Sequence, residues 1–480
     1  MRSPTALLLL PLLLCCGCSR PGEIVGAVEA DLPLPPGFAL AFNHRYGSRY
    51  QSPLTGQWRN GDDLERFIVD AIEAADTMLL VAVQELSLPS LAKHLIAAHR
   101  RGVQVKLVLE NSYSTPWSDQ QPSHLPKHQR HRWHQLQHLA DADGDGITTA
   151  EEARQGDAVG LLLKAGVPLL DDTEDGSSGS GLMHHKFVVV DDRSVITGSA
   201  NFTSSGLHGD AGKPRTRGNV NHLLRIDSPA LAAVFRREFE RMWGDGPGGA
   251  KDSRFGLGKG GQSDAERVQV GNVEVEVLFA PHPKRNAAHG LNWLAALLAS
   301  AKHQIDMALF VFSAQQLANV LEERANDGVK IRLVADPGFA SRLFSEVLDL
   351  LGVALPDRDC KLEANNKPFT QPIRGVGTPR LARGDKLHHK FAVIDNKTVI
   401  TGSFNWSPSA AHTNDETLLV IHSPQLAKHF TREMDRLWNG AELGITPHLQ
   451  RKLDRQRIKC GDGAERDLEL KWPSLLLCQG

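Results

Sequence analysis

The sequence predicts an α/β protein made of two tandem lobes, each a mixed β-sheet flanked by helices. The first observation is length, because 480 residues suffice for two domains of ordinary size. The second is an internal repeat. Residues 79–109 and 305–334 each contain an apolar strand, a helix with apolar residues at helical spacing, and a Gly-Val turn into a second strand. Such alternation of strands and helices is typical of α/β architectures.

The later elements of the repeat follow the same order in both halves. Residues 182–203 and 386–407 share a pattern in which two apolar runs predict buried strands. Each repeat then ends in a helix, predicted over 229–243 and 424–438. We therefore place the first lobe at 36–243, a Gly-rich linker at 244–266, the second lobe at 267–440 and a C-terminal tail at 441–480.

The overall composition is that of a globular protein, with 41% hydrophobic and 23% charged residues. The formal net charge is -2, so the overall balance does not call for a nucleic-acid or acidic-membrane partner. This net charge does not exclude basic patches on parts of the surface.

The first 18 residues have the pattern of a signal peptide. Arg2 precedes a short apolar run over 6–14, which is too short to span a bilayer. Gly17 and Cys18 resemble the bacterial lipoprotein signal, in which cleavage exposes a cysteine that receives lipid. Cys15 departs from that signal, and a plain secretory signal is the alternative. We expect export to the bacterial cell envelope and a membrane anchor at Cys18 that faces the periplasm or exterior.

Three cysteines follow the predicted signal peptide, at positions 360, 460 and 478. In an oxidising compartment, Cys460 and Cys478 would close a loop in the C-terminal tail and leave Cys360 free. The odd count leaves other pairings open.

A six-position motif occurs twice at identical spacing, H-x-K-x4-D-x6-G-S-x-N. The first copy consists of His184, Lys186, Asp191, Gly198, Ser199 and Asn201, and the second of His388, Lys390, Asp395, Gly402, Ser403 and Asn405. A single H-x-K is common on strand surfaces. Six matched positions occurring twice predict a functional site.

The chemistry of the motif points to a phosphate ester. Residues two apart on a strand share a face, so each histidine lies beside its lysine. A histidine and a lysine from each lobe would make one cationic pocket between the lobes, with the serines and asparagines as neutral donors. One histidine can attack phosphorus while the other protonates the leaving oxygen. The lysines would supply the charge that a metal otherwise supplies, so we expect no cofactor for catalysis.

The two segments resemble the paired HKD motifs of the phospholipase D superfamily, and the resemblance covers roughly residues 36–440. It implies a phosphohistidine intermediate, with His184 as nucleophile and His388 as acid. Lys186 and Lys390 would bind phosphate oxygens, and Ser199, Asn201, Ser403 and Asn405 would shape the pocket. Within this set we expect Asp191 and Asp395 to be structural partners inside each half.

The resemblance also implies an Asn and then an acidic residue that orients the opposing imidazole. The second half has both, as Asn414 and Glu416, whereas the first half has Asn219 and Asn221. An amide can hold a ring nitrogen but cannot stabilise an imidazolium by charge, so the two histidines are expected to be unequal.

An insertion in the first lobe resembles an EF-hand calcium loop. From Gly102 to His184 is 82 positions, against 60 between the equivalent Gly328 and His388. The insertion, at 130–158, contains the pattern D-x-D-x-D-G-x5-E. Its predicted calcium ligands are Asp141, Asp143, Asp145, Glu152 and the carbonyl of Ile147. The alternative is a solvated acidic turn. A single hand suggests a structural site.

Three functions compete at the level of sequence. The first is phospholipid hydrolysis to phosphatidic acid and a free head group, with a phosphatidyl transferase like cardiolipin synthase as a variant. The second is an exported nuclease, and the third a binding protein with a decayed site. The intact motifs oppose the third. Near-neutral charge and the predicted anchor favour a phospholipid membrane over nucleic acid as the partner. Both halves lie in one chain, so we expect a monomer.

Overall fold

The computed structural model describes residues 32–177, 181–213, 215–260, 264–363 and 365–461. The predicted signal peptide with Cys18, and Cys478, lie outside these residues. In the first lobe the strands are β1 (Phe38–Phe42), β2 (Arg49–Gln51), β3 (Trp58–Asn60), β4 (Met78–Val83), β5 (Gln104–Leu109), β6 (Leu169–Asp171), β7 (Lys186–Val190), β8 (Ser194–Gly198) and β9 (His222–Asp227). Its helices are α1 (Leu64–Glu73), α2 (Pro89–Arg100), α3 (Lys127–Ala140), α4 (Ala150–Gly156), α5 (Ala158–Lys164), α6 (Ser204–Leu207) and α7 (Pro229–Trp243).

The second lobe repeats this order. Its strands are β10 (Glu266–Val270), β11 (Val273–Ala280), β12 (Gln304–Leu309), β13 (Lys330–Ala335), β14 (Val376–Thr378), β15 (Lys390–Ile394), β16 (Thr398–Gly402), β17 (Glu416–His422) and β18 (Glu442–Leu443). Its helices are α8 (Gly290–Ala299), α9 (Gln315–Asn326), α10 (Pro337–Ala340), α11 (Glu346–Leu350), α12 (Pro408–His412), α13 (Pro424–Trp438) and α14 (Pro447–Cys460).

The two sheets confirm the predicted pair of mixed α/β lobes. The first sheet has the order β1-β9-β8-β7-β4-β5-β6, and the second has β11-β17-β16-β15-β12-β13-β14 with β10 and β18 added at its edges. In both sheets the strand that follows the motif histidine is central. β7 pairs antiparallel with β4, and β15 pairs antiparallel with β12. β4–β5 and β12–β13 are parallel pairs joined through α2 and α9, as expected for βαβ units.

One hydrophobic core joins the lobes. Phe187 and Phe235 of the first lobe belong to the same buried cluster as Phe391 and Phe430 of the second. α7 and α13 therefore pack between the inner faces of both sheets, while α1 and α2 in the first lobe, and α8 and α9 in the second, cover the outer faces. Because the core is shared, the end of each central strand is held next to the other lobe. No helix in the described ranges is long and apolar enough to span a membrane.

Part of the segment between the lobes is buried against them. Residues 256–259 form a short 3₁₀ helix, and the side chain of Lys259 is completely buried. Its Nζ contacts Glu238 of α7 and lies 2.6 Å from Asp415 of the second lobe. A buried ammonium needs such partners, because an isolated buried charge is strongly unfavourable. Residues 256–259 of the predicted Gly-rich linker are thus part of the interface between the lobes.

The C-terminal region corrects the expected cysteine pairing. Cys360 and Cys460 form a disulfide, with their Cα atoms 5.5 Å apart. The predicted pairing of Cys460 with Cys478 is therefore wrong. Helix α14 returns onto the second lobe, where Leu449 packs into the outer core and Lys452 binds the Ser341 carbonyl. This return brings Cys460 to a residue 100 positions earlier in the chain.

Candidate active site

Backbone pairing between the lobes brings the two motif histidines together. The backbone nitrogen of His184 donates to the carbonyl of Asp415 (2.9 Å), and that of His388 donates to the carbonyl of Val220 (3.0 Å). Each histidine lies two residues before its central strand, β7 or β15, and the acceptors lie just before β17 and β9 of the other lobe. The two motifs are thus held at one cleft by reciprocal backbone contacts.

Two asparagines strengthen this pairing. The side-chain oxygen of Asn414 accepts a hydrogen bond from the Leu182 backbone (3.2 Å), and that of Asn219 accepts one from the Lys386 backbone (2.9 Å). Leu182 and Lys386 each lie two residues before a motif histidine. Asn219 and Asn414, predicted to orient the site, therefore clamp the opposing motif through its backbone.

His184 is paired with a carboxylate of the other lobe. Its Nδ1 lies 2.7 Å from Oε2 of Glu416, which also accepts from the Ser403 hydroxyl at 2.6 Å. A carboxylate accepts and does not donate, so the proton of the neutral ring lies on Nδ1. Nε2 is then the nitrogen left for chemistry. Burial raises the pKa of Glu416 to about 7.

His388 is paired with an amide instead. Its Nδ1 lies 2.9 Å from Oδ1 of Asn221. The amide orientation is fixed because Nδ2 of Asn221 donates to the Gly206 carbonyl (2.9 Å) and Oδ1 accepts from the Ser199 hydroxyl (2.8 Å). The two histidines thus have the same geometry and different electrostatics, since only His184 has an ionisable partner.

Two buried lysines dominate the charge of the cleft. The Nζ atoms of Lys186 and Lys390 each donate to the carbonyl of the motif histidine two residues earlier, at 2.8 Å. Burial lowers the pKa of Lys186 to about 7, and burial together with Lys186 holds the pKa of Lys390 well below its usual value. Burial and the lysines also depress the pKa of both histidines. An anion bound between the lysines would relieve these penalties.

The motif serines and asparagines differ in their placement. Ser199 and Ser403 donate to Asn221 and Glu416, so they orient the partners of the histidines and do not point at a ligand. Asn201 donates to Gln84 (3.2 Å) through Nδ2. Its Oδ1 and the Oδ1 of Asn405 are buried without a hydrogen-bond partner.

The structure does not bring the motif aspartates to the histidines. Asp191 follows β7 at the end opposite His184 and accepts hydrogen bonds from the backbones of Asp76, Thr77 and Met78. Asp395 accepts three backbone bonds from residues 302–304 in the same way. A strand of five residues spans roughly 16 Å, so neither carboxylate can contact the reacting atoms. Although both belong to the six-position motif, Asp191 and Asp395 are therefore structural groups that hold the starts of β4 and β12.

The aromatic Phe310 was not predicted from the sequence. It directly follows β12, and its ring lies 4.7 Å from the ring of His388. The Nζ of Lys390 lies 4.9 Å from the centre of the same ring. The equivalent position after β4 is Gln84, because the backbones of Gln84 and Phe310 donate to the equivalent carbonyls of His185 and His389. Aligning the two repeats past the ends of these strands would have revealed this difference.

The EF-hand-like loop lies apart from the cleft, between α3 and α4. Oxygens of Asp141, Asp143 and Asp145 converge to within 4.8 Å of one another. The carboxylate of Glu152 instead accepts from the backbone of Ala142 (3.0 Å) and forms a capping box with Thr149 at the start of α4. The three aspartates could together hold a metal ion, whereas the Glu152 carboxylate faces backbone donors.

Comparison with known proteins agrees with this geometry. A family model described as "Cardiolipin synthase, PLD-like domain" matches residues 68–243 and 294–438. The mitochondrial cardiolipin hydrolase of Mus musculus is 30% identical over 149 residues, which are 30% of this chain and 56% of that protein. Cardiolipin synthase B of Salmonella typhi is 21% identical over 240 residues, 50% of this chain and 52% of that protein. The chain spans about half the length of these relatives.

A solved structure supports the two-lobed fold over nearly the whole chain. Phosphatidylserine synthase of Haemophilus influenzae Rd KW20 aligns with 89% of this chain and 96% of its own, with a TM-score of 0.52 at 12% identity. At that identity the likeness concerns the fold alone. The family match covers both lobes and both motifs, and the chain belongs to the PLD-like domain family of the phospholipase D superfamily.

Proposed function

We propose that the protein is a phospholipase D-type phosphodiesterase that hydrolyses phospholipids to phosphatidic acid and a free head group. The observation that supports this most directly is the arrangement in the cleft. Two histidines from different lobes flank two buried lysines, and their partners differ, Glu416 for His184 and Asn221 for His388. This arrangement provides a nucleophile, an acid and a binding site for one phosphate anion.

In the first step Nε2 of His184 attacks phosphorus. A P–N bond forms, the P–O bond to the leaving alcohol breaks, and His388 gives its proton to that oxygen. The carboxylate of Glu416 stabilises the positive imidazole ring of phosphohistidine through Nδ1, which an amide cannot do. In the free protein burial and the two lysines lower the pKa of His388, so that it gives up a bound proton readily. The bound anion raises that pKa enough for the proton to be present.

In the second step water attacks the phosphohistidine. His388 accepts a proton from the water, the P–N bond breaks, and His184 becomes neutral again. The buried ammonium groups of Lys186 and Lys390 stabilise the phosphoryl oxygens in both steps, in a site where burial strengthens their field. Attack by an alcohol in place of water would give phosphatidyl transfer at the same site.

Support for a phospholipid substrate comes from the relatives, whose names specify cardiolipin hydrolysis and synthesis. The nuclease alternative uses the same chemistry at the same pocket. The experiment is a head-group release assay with phospholipid vesicles beside a plasmid-nicking assay and a transfer assay with added glycerol, all with purified protein. Head-group release that is lost in His184→Ala supports the proposal. Nicking without release would replace it with the nuclease, and glycerol transfer that exceeds hydrolysis would replace it with the transferase.

We propose further that the loop of Asp141, Asp143 and Asp145 holds one calcium ion, with Glu152 and the Ile147 carbonyl completing the set. The three converging aspartates repel one another unless a cation lies between them. The helices on either side belong to the first lobe, where Arg132 of α3 lies 2.6 Å from Glu85. The ion would stabilise this lobe and take no part in the chemistry.

We also propose that the mature protein is exported and anchored in the cell envelope through lipid on Cys18. The support is the sequence pattern at 1–18. A Cys18→Ser variant should remain unprocessed and leave the membrane fraction, as measured by fractionation and intact mass. An unmodified mature chain that begins at another residue would contradict this.

A further inference from the structure

A row of rings leads from His388 to the protein surface. The ring of Phe310 lies 4.7 Å from His388, Phe339 lies 4.6 Å from Phe310, and Phe344 lies 6.4 Å from Phe339. Phe344 is 41% exposed, and its neighbour Leu343 is 39% exposed. We name Phe310, Phe339, Leu343 and Phe344 the aromatic ledge. Large apolar side chains exposed together beside a cleft mark an interaction surface.

Basic groups border this ledge. The guanidinium of Arg342 lies 5.9 Å from the Phe339 ring, and Nζ of Lys386 lies 5.7 Å from the Phe310 ring. Both residues are exposed. Apolar side chains at the tip of a short segment with cations beside them match the layers of an anionic bilayer, where phosphates lie just above the acyl chains.

The first lobe has a different surface at the equivalent place. Gln84 replaces Phe310, and the adjacent Glu85 pairs with Arg132 at 2.6 Å. The residue after β5, Glu110, caps the following turn through a bond from the Ser112 backbone. The position after the equivalent strand is thus polar in the first lobe and aromatic beside His388, where exposed apolar and basic side chains follow. A ligand that only needed phosphate contacts would not require this asymmetry.

We propose that the aromatic ledge is the surface on which the enzyme docks to an anionic phospholipid bilayer. Leu343 and Phe344 insert among the acyl chains, while Arg342 and Lys386 contact lipid phosphates. Phe310 and Phe339 then guide the phosphodiester to the catalytic histidines, with the leaving alcohol on the side of His388. This inference rests on the proposed phospholipid substrate and adds where and how the bilayer is contacted.

The test compares two rates for each variant. One is turnover of vesicles of phosphatidylcholine with 30 mol% phosphatidylglycerol, and the other is turnover of bis(p-nitrophenyl) phosphate, a soluble diester. In Leu343→Ser/Phe344→Ser the ratio of vesicle rate to soluble rate should fall about tenfold, a loss of about 1.4 kcal/mol of membrane binding, because two apolar side chains no longer insert. The matched control is Leu163→Ser, which removes a 46% exposed leucine from α5 in the other lobe.

The outcomes separate this inference from the proposed function. An unchanged ratio in the ledge variant, or an equal fall in the control, would overturn docking through the ledge. Sedimentation of His184→Ala protein with the same vesicles tests docking without turnover. When Leu343→Ser/Phe344→Ser is introduced into this variant, the protein should no longer sediment with the vesicles. If the ledge substitutions abolish sedimentation but the unmodified protein does not turn over phospholipid, the proposed function is overturned and docking through the ledge is still supported. If Leu343→Ser/Phe344→Ser loses binding of single-stranded DNA but keeps vesicle binding, the ledge is a nucleic-acid surface, and docking to a bilayer is overturned.

Discussion

Nζ of Lys259 lies 2.6 Å from the carboxylate of Asp415, the residue that directly precedes Glu416. Lys259 also contacts Glu238, so one buried cation joins the connecting segment, α7 and the second lobe. Burial opposes the charge on Lys259, but Asp415 and Glu238 raise its pKa overall. Because the Asp415 carbonyl accepts from the His184 backbone, this contact also fixes the position of the catalytic pair.

Replacing Lys259 with methionine should therefore destabilise the protein by roughly 3–5 kcal/mol, since two buried carboxylates lose their cation. Thermal and denaturant unfolding measure this loss. The control is Lys251→Met, an exposed lysine of the same connecting segment. Adding Asp415→Asn to Lys259→Met should restore part of the stability. Equal stability of Lys259→Met and the control would show that the buried cluster contributes little.

The two catalytic histidines should fail in different ways. Each single replacement by alanine should lower the rate by several decades, on the order of 10³-fold or more. With radiolabelled substrate and acid quenching, phosphoprotein should be absent in His184→Ala and present in His388→Ala, because only the former lacks the nucleophile. The reverse pattern would exchange the two roles. Full activity in either variant would exclude the mechanism.

Glu416 should set the acidic limb of the pH profile. Its pKa is raised to about 7 by burial, so the carboxylate that supports His184 is lost as the pH falls through that value. Activity should then rise with pH up to about 7. In Glu416→Gln that limb should vanish and kcat/KM should fall on the order of 10²-fold. Glu442→Gln, an exposed glutamate of β18, is the control. A limb that persists in Glu416→Gln must belong to another group.

Calcium should stabilise the first lobe without being needed for turnover. A ligand that binds only the folded state adds about 2.7 kcal/mol at one hundred times its Kd. The melting temperature should therefore rise with calcium, and Asp141→Ala/Glu152→Ala should abolish the rise. Glu151→Ala changes a position of the pattern that is not a predicted ligand, so this variant should keep the rise. If titration with calcium gives no calorimetric signal, the loop is only a solvated acidic turn. If a chelator stops turnover at once while the protein is still folded, the ion takes part in the mechanism.

The disulfide should contribute to the stability of the second lobe. A cross-link between residues 100 apart restricts the unfolded chain, and its removal typically costs on the order of 2–4 kcal/mol. Cys360→Ser and Cys460→Ser should lower the denaturation midpoint equally, while Cys478→Ser should not. A normal midpoint in Cys360→Ser, or a drop in Cys478→Ser, would contradict the observed pairing.

The order of strands and helices in both lobes was predictable because it depends on local patterns of apolar and polar residues. Apolar runs predicted the central strands, and helical spacing predicted α7 and α13 with the bounds that the structure has. Helix α3 begins at Lys127, three residues before the insertion predicted at 130–158. Cysteine pairing could not be predicted in the same way. It depends on where α14 docks, and that contact joins residues far apart in the chain.

The sequence by itself determined the two lobes, the paired motifs and the difference between Asn221 and Glu416, because each is a matter of residue type at matched spacing. Only the tertiary structure decided which side chains meet. It paired Glu416 with His184 across the lobes. It directs the hydroxyls of Ser199 and Ser403 toward Asn221 and Glu416. It also places Asp191 and Asp395 at the far ends of their strands, away from the histidines. It also buried Lys259 between the lobes and exposed Phe344 beside His388. The physical reason is that burial and long-range contacts depend on how the two sheets pack, which no local pattern encodes.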